Sequence, residues 1–270
     1  MYYAPVFDSW ISVTTPRPDA TWRLVCFPHA GGGASSFFSW SRELAHIPVE
    51  VATLRLPGRE ARLREAPLDD LPTLVSHIDE ALEAFGDGRP VVWFGHSSGA
   101  RIAFEVARRR RARGRSLPVH LVVSGAPAPD VVRSTPTLHR IASDDEFLHA
   151  VASAYSGVPA AVMEHQELRA LVAPALRADL KMHERYVYTV EEPLPFPITA
   201  FGGSADTSVS EAWLRGWERH TAGEFRWQMF PGDHFYLHEP GMRTELLRAL
   251  VRRVGTVQGP AGSKVQDSSH

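Results

Sequence analysis

The feature that most constrains this chain is a five-residue turn, Gly95-His96-Ser97-Ser98-Gly99. It lies between an apolar run, Pro90-Val91-Val92-Trp93-Phe94, and an amphipathic helical pattern. In that strand–turn–helix setting a G-x-S-x-G forces a sharp, strained reversal that lifts a serine hydroxyl clear of the sheet. Glycines flank it because Cβ atoms there would strike neighbouring strands. The helix N-terminus behind the serine adds positive potential and the Ser98 backbone N–H, aimed where an oxyanion would form.

The rest of the chain supplies the layers such a turn needs. Strands are predicted at Arg23–Phe27, Glu50–Arg55, Val91–Gly95, Val119–Ser124, Ile198–Gly202 and Phe225–Phe230, all short, mostly with β-branched residues, and with Gly or Pro near their bounds. Such runs suit strands buried on both faces. Helical patterns intervene at Leu71–Phe85, Gly99–Arg113, Ser210–His220 and Gly241–Val254. In Gly99–Arg113 the i, i+4 pairs Ile102/Val106 and Ala103/Ala107 give a face for the sheet. The alternation predicts the α/β class, with a mostly parallel central sheet flanked by helices.

One stretch breaks the rhythm. Residues 135–192 hold no strand pattern, only helices predicted at Ser143–Ala154, Ala160–Ala173 and Leu176–Tyr188, punctuated by Gly157, Pro159 and Pro174. An insertion of this length between two strands reads as an α-helical lid over the ligand-binding edge of the sheet. The expected organisation is a core of residues 1–134 and 193–254, a helical lid at 135–192, and a disordered Gly/Ser/Gln-rich tail at 255–270.

Composition excludes several functions. With 29 Lys+Arg against 31 Asp+Glu, the net charge of −2 lacks the basic excess that nucleic-acid binding needs. One cysteine, Cys26, precludes an intrachain disulfide framework and reads as an inert core thiol. The N-terminus MYYAPVFDSW has no signal-peptide pattern, and the longest apolar runs are strand-sized. A cytoplasmic, non-membrane protein is expected, and a monomer. Arg101, Arg108, Arg109, Arg110, Arg111, Arg113 and Arg115 crowd one helix and its exit, and they read as solvated charges complementing the macrodipole.

A seryl nucleophile needs a base, and the base an orienting carboxylate, usually in the chain order Ser, Asp/Glu, His. Asp206 follows a strand in Phe201-Gly202-Gly203-Ser204-Ala205-Asp206, and His234 follows the next in Phe230-Pro231-Gly232-Asp233-His234. Ser97 is therefore assigned as nucleophile, His234 as general base and acid, and Asp206 as the group fixing its tautomer. Asp233 and Asp130 compete for the last role, while Asp179 reads as a helix-surface charge. The loop Phe27-Pro28-His29-Ala30-Gly31-Gly32-Gly33 should complete the oxyanion hole through the Ala30 N–H. His29 is read as shaping its loop and His96 as packing under the turn. His234 and His238 lack a third ligand, so no metal and no cofactor are expected.

The motifs Cys26-Phe27-Pro28-His29-Ala30-Gly31-Gly32, Leu56-Pro57-Gly58-Arg59-Glu60, Phe94-Gly95-His96-Ser97, Leu176-Arg177-Ala178-Asp179-Leu180 with Tyr186, and Pro231-Gly232-Asp233-His234-Phe235 run in order over nearly the whole chain. Together they resemble the stand-alone type II thioesterases of polyketide and non-ribosomal peptide assembly lines. The resemblance implies an α/β-hydrolase fold, a triad at Ser97, Asp206 and His234, and a lid over a channel for an acyl-phosphopantetheine arm. It also implies acyl or peptidyl carrier proteins as partners and an editing role, clearing short or aberrant acyl groups. Ser98 departs from the family's usual Met, and Ala126 stands where Arg is frequent. The alternatives are a small-molecule carboxylesterase on the same fold, a non-hydrolytic carrier-binding module, or acyl transfer to an acceptor other than water.

Overall fold

Six strands form the parallel body of one sheet in the computed structural model, which describes residues 9–132, 137–155 and 157–255; five are almost wholly buried, whereas the last, at the sheet edge, is mostly half-buried and not covered on both faces as its sequence suggests. They are β2 (Trp22–Phe27), β3 (Val49–Leu54), β4 (Val91–His96), β5 (His120–Ser124), β6 (Ile198–Gly203) and β7 (Phe225–Phe230). A seventh strand, β1 (Ile11–Val13), pairs antiparallel with β3 through Val13↔Ala52, giving the order β1-β3-β2-β4-β5-β6-β7. β1 is not among the predicted strands: its three residues carry no readable alternation, and its pairing with β3 creates it. The other strand bounds agree to within a residue.

Alternate side chains along each strand enter two apolar layers. Val25, Phe27, Leu54, Trp93 and Val123 face one side, with Ile78, Phe104 and Trp217. Leu24, Val51, Val92, Phe94 and Phe201 face the other, with Trp40, Phe230 and Leu246. Helices α2 (Leu71–Phe85), α3 (Ser98–Ala112) and α7 (Glu211–Arg215) cover the first layer, while α1 (Phe38–Glu43) and α8 (Pro240–Val254) cover the second. Asp70 caps α2 by accepting the Thr73 N–H at 2.9 Å. The predicted helix Ser210–His220 divides into α7 and a 3₁₀ turn at Gly216–His220. Helix α1 lacks a long apolar period and is held by its fully buried Trp40.

The insertion is helical. It contains α4 (Asp144–Tyr155), α5 (Ala160–Glu164) and α6 (Gln166–Glu184). The predicted break at Pro174 is absent, because α6 runs straight through it, and the helix predicted at Ala160–Ala173 instead breaks at His165, between α5 and α6. Pro174 is exposed, so water can satisfy the Ala170 carbonyl whose hydrogen bond is lost. The first residues of the predicted lid and all of the predicted disordered tail except Gly255 lie outside the described residues.

The arginine-rich end of α3 also differs from expectation. Arg109, Arg110, Arg113 and Arg115 converge on Asp79, fully buried in α2, at 2.9–3.2 Å. Glu80 and Glu83 take up their remaining charge. Arg110 is buried in this seam between α2 and α3 and Arg108 is buried against Glu105 and Glu191, whereas Arg109 and Arg113 keep more than a third of their side chains exposed, so the expectation of solvated charges holds only in part. No helix among the described residues is long and apolar enough to cross a membrane.

Candidate active site

The carboxyl ends of β2, β4, β6 and β7 point to one edge of the sheet, and every predicted site residue lies just beyond one of them, in a loop or, for Ser98, at the first position of α3. After β4 the chain reverses at Ser97, whose φ of 54° is one of two positive values among the described non-glycine residues. The strain is held because the Ser97 N–H donates to the Ser124 carbonyl at 2.7 Å and α3 starts at once. Both glycines are required. A Cβ at Gly95 would lie 2.5 Å from the Ala100 Cα, and one at Gly99 2.1 Å from the Phe27 carbonyl.

Ser97, His234 and Asp206 form one hydrogen-bonded line. His234 Nδ1 lies 2.7 Å from Asp206 Oδ2, and His234 Nε2 lies 3.0 Å from Ser97 Oγ. The carboxylate can only accept, so Nδ1 carries the proton and Nε2 accepts from the seryl hydroxyl. The loops after β6 and β7 are stitched together by Ser204 N–H to the Phe230 carbonyl at 2.7 Å and Ala205 N–H to the Gly232 carbonyl at 2.8 Å. This fixes the separation of Asp206 and His234. The geometry is that of a nucleophile, its base and the base's orienter.

Ser208 is a site residue that sequence analysis misses. Its N–H and hydroxyl donate to Asp206 Oδ1 at 2.7 and 2.6 Å, and its Oγ lies 3.2 Å from His234 Nδ1. Burial works against the Asp206 charge, but hydrogen bonds from His234 and Ser208 hold its carboxyl below the usual range. The only signal for Ser208 was its position two residues beyond the carboxylate, where an Asx-type turn forms.

The competing carboxylates are engaged elsewhere. Asp130 pairs with Arg219 at 2.7 Å and His220 at 3.0 Å, and Asp233 accepts the Phe235 N–H at 2.8 Å. Asp179 is not a surface charge: it is 5% exposed, bonded to Arg59 and to the Gly31 N–H. Its reading failed because both partners are far away in sequence. His96 is fully buried under the turn with Nδ1 3.0 Å from Ser124 Oγ, which lies 2.7 Å from the Tyr236 hydroxyl. Burial pushes His29 down to about 4 and His96 well below the ordinary histidine value. Both rings are therefore neutral at pH 7 and add no cation beside His234. Cys26 is buried within β2.

A cavity of about 650 Å³ opens onto Ser97 and His234. Ala30 and Ser98, the predicted oxyanion donors, both line it. Its far wall comes from the insertion, where Val151, Val158, Leu171, Val172 and Leu176 present apolar surface. The site therefore joins a nucleophile to a compartment suited to an acyl chain. Among the described residues, no group of three His, Cys, Asp or Glu side chains could hold a metal ion.

A family model described as "Thioesterase domain" matches residues 22–254. The gramicidin S biosynthesis protein GrsT of Aneurinibacillus migulanus is 36% identical over 260 residues, covering 96% of this chain and 99% of its own. Among solved structures, the RedJ thioesterase from the prodiginine biosynthetic pathway of Streptomyces coelicolor matches with a TM-score of 0.80 at 36% identity, over 87% of this chain and 91% of its own. The type II thioesterase BorB from the borrelidin biosynthetic cluster matches with a TM-score of 0.79 at 35% identity, over 93% and 100% respectively. The mostly parallel sheet with flanking helices is the α/β-hydrolase fold that these neighbours share.

Proposed function

The chain belongs to the thioesterase domain family and is a hydrolase of thioesters, and from that premise we propose that it removes acyl groups from the phosphopantetheine thiol of acyl or peptidyl carrier proteins, as an editing enzyme of polyketide or non-ribosomal peptide assembly. The support for the substrate class is the setting of the relatives, which serve gramicidin S, prodiginine and borrelidin pathways. The observation that carries the chemistry is the Ser97–His234–Asp206 line at the mouth of a cavity with an apolar wall.

In this reading Ser97 Oγ attacks the thioester carbonyl while His234 Nε2 takes its proton. The Ala30 and Ser98 amides receive the developing oxyanion, each such donor being worth about 3 kcal/mol in comparable sites. The carbon–sulfur bond then breaks, and His234 returns the proton to the departing thiol. The resulting seryl ester is attacked by water, whose proton passes to His234. The carbon–Oγ bond breaks, Ser97 is reprotonated, and a free carboxylic acid leaves. Asp206 holds the Nδ1–H tautomer and stabilises the imidazolium in both steps.

The test compares one acyl group presented on a carrier protein, on pantetheine and as an oxygen ester, with Ser97→Ala as control. The expected order is carrier first and oxygen ester last, with no acid released by Ser97→Ala. A marked preference for the oxygen ester would indicate a small-molecule carboxylesterase, and turnover by Ser97→Ala would displace the nucleophile assignment.

A further inference from the structure

The motif Leu56-Pro57-Gly58-Arg59-Glu60 takes no part in the chemistry above, yet two of its side chains hold the loop after β2. Glu60 adopts a φ of 47°, and its carboxylate accepts the Ala34 N–H at 2.8 Å, the Ser35 N–H at 3.0 Å and the Ser35 hydroxyl at 2.5 Å. Arg59, buried, donates from Nη1 to the Gly32 carbonyl at 3.1 Å. The same guanidinium grips Asp179 with both nitrogens, Nη1 to Oδ2 at 2.6 Å and Nη2 to Oδ1 at 2.9 Å. Asp179 Oδ2 in turn accepts the Gly31 N–H at 2.8 Å.

These contacts determine how the Ala30–Gly31 peptide lies. Its carbonyl accepts from His29 Nδ1 at 2.9 Å and its N–H is taken by Asp179, so both polar ends of the unit are held. With that plane fixed, the Ala30 N–H on the preceding peptide has little freedom to turn. Asp179 belongs to α6, and Leu176 one turn earlier lies against Gly31, where an added Cβ would come within 3.1 Å of Leu176 Cδ1. Leu176 also lines the acyl cavity. A buried carboxylate and guanidinium are costly when apart, whereas a bidentate pair with an added backbone donor is strong and directional. Docking of α6 and shaping of the loop are therefore one event.

We propose that Asp179 and Arg59 are positioning residues for the oxyanion loop, making the Ala30 donor dependent on the docking of α6, the helix that walls the acyl cavity. This rests on the assignment of the Ala30 N–H to the oxyanion in the proposed function. Neither residue touches the reacting atoms. They act through the Ala30–Gly31 peptide, and the effect belongs to the tetrahedral state more than to ground-state binding.

The test measures kcat and KM of the full chain for an acyl-pantetheine thioester, together with affinity for a trifluoromethyl ketone that forms a tetrahedral adduct at the serine. Asp179→Ala should lower kcat by about 30- to 100-fold, the scale of a misplacement near 1 Å, with KM changed by less than about threefold. Ketone affinity should fall by about the same factor as kcat. Asp179→Asn keeps a side-chain oxygen for the Gly31 N–H and should recover to within about tenfold of wild type. Should Asp179→Ala fail to fold, as judged by thermal unfolding, Asp179→Asn and Arg59→Lys carry the comparison, and both should lower kcat and ketone affinity together. Asp179→Ala with kcat within twofold of wild type would overturn the proposal, as would a loss in KM alone or an unchanged ketone affinity. A wild-type enzyme inert towards thioesters would instead overturn the proposed function on which this rests.

Discussion

The sheet holds its site loops between two apolar layers on ladders of main-chain hydrogen bonds, whereas the inserted helices close around a third, separate cluster. That cluster centres on Phe147, Leu148, Val151, Leu176 and Leu180. Polar ties join the insertion to the loops and helices around the sheet, Asp179 to Arg59, Lys181 to Asp69, and the Tyr186 hydroxyl to Glu105 at 2.6 Å, and Met182 of α6 adds one side chain to the first apolar layer. Apolar layers built on a sheet open only with the whole domain, while a small cluster joined mainly by polar links can open by itself at lower cost. The division of labour follows this difference. Ser97, His234 and Asp206 stand on sheet loops, and the apolar wall of the cavity stands on the insertion. In the proposed function, reaction chemistry and acyl-group selection thus fall on different parts of the molecule, coupled through the Asp179–Arg59 link.

The sharpest break on the sheet side is Asp206→Asn. It preserves shape but favours the wrong His234 tautomer, and kcat should fall by about 10⁴-fold with the fold intact by circular dichroism. Next come two matched core truncations. Phe94→Ala, in the layer beneath the site, should cost about 3–5 kcal/mol of global stability by denaturant unfolding. Phe147→Ala should cost less globally but speed hydrogen exchange in α4 and α6, leaving sheet amides protected. Equal acceleration in both regions would erase the distinction between them. A smaller effect is expected at Ser208→Ala, which loses the hydroxyl bond to Asp206 but keeps the backbone one, so kcat should drop about tenfold, the equivalent of one hydrogen bond.

The mildest test is the dependence of stability on pH. Burial lowers His29 and His120 from 6.5 to about 4 in the folded chain. The unfolded chain therefore takes up these protons near pH 6.5, before the folded chain does. Their contribution to stability is full above pH 6.5 and is lost as pH falls towards 4. Unfolding free energy should rise with pH across that window, and a flat or falling profile would contradict it.

Much of this was legible in the sequence because the relevant forces are local. The short apolar strands, the turn at Ser97 and the order Ser97, Asp206, His234 are all set by short-range pattern and chain topology. What escaped depends on partners distant in sequence. Asp179 looked like a surface charge because Arg59 and Gly31 lie more than a hundred residues away. The arginines of α3 looked solvated because Asp79, which neutralises them, sits on another helix. Pro174 looked like a break because sequence does not reveal that its missing N–H falls on an exposed face.

The central claim is that thioester chemistry passes through Ser97. Intact-mass analysis of the enzyme, quenched during turnover of an acyl-carrier substrate and followed by peptide mapping, measures this directly. The account predicts one added acyl group on the peptide bearing Ser97, absent from Ser97→Ala. An acyl group mapped to another residue, or free acid released by Ser97→Ala at the wild-type rate, would contradict it.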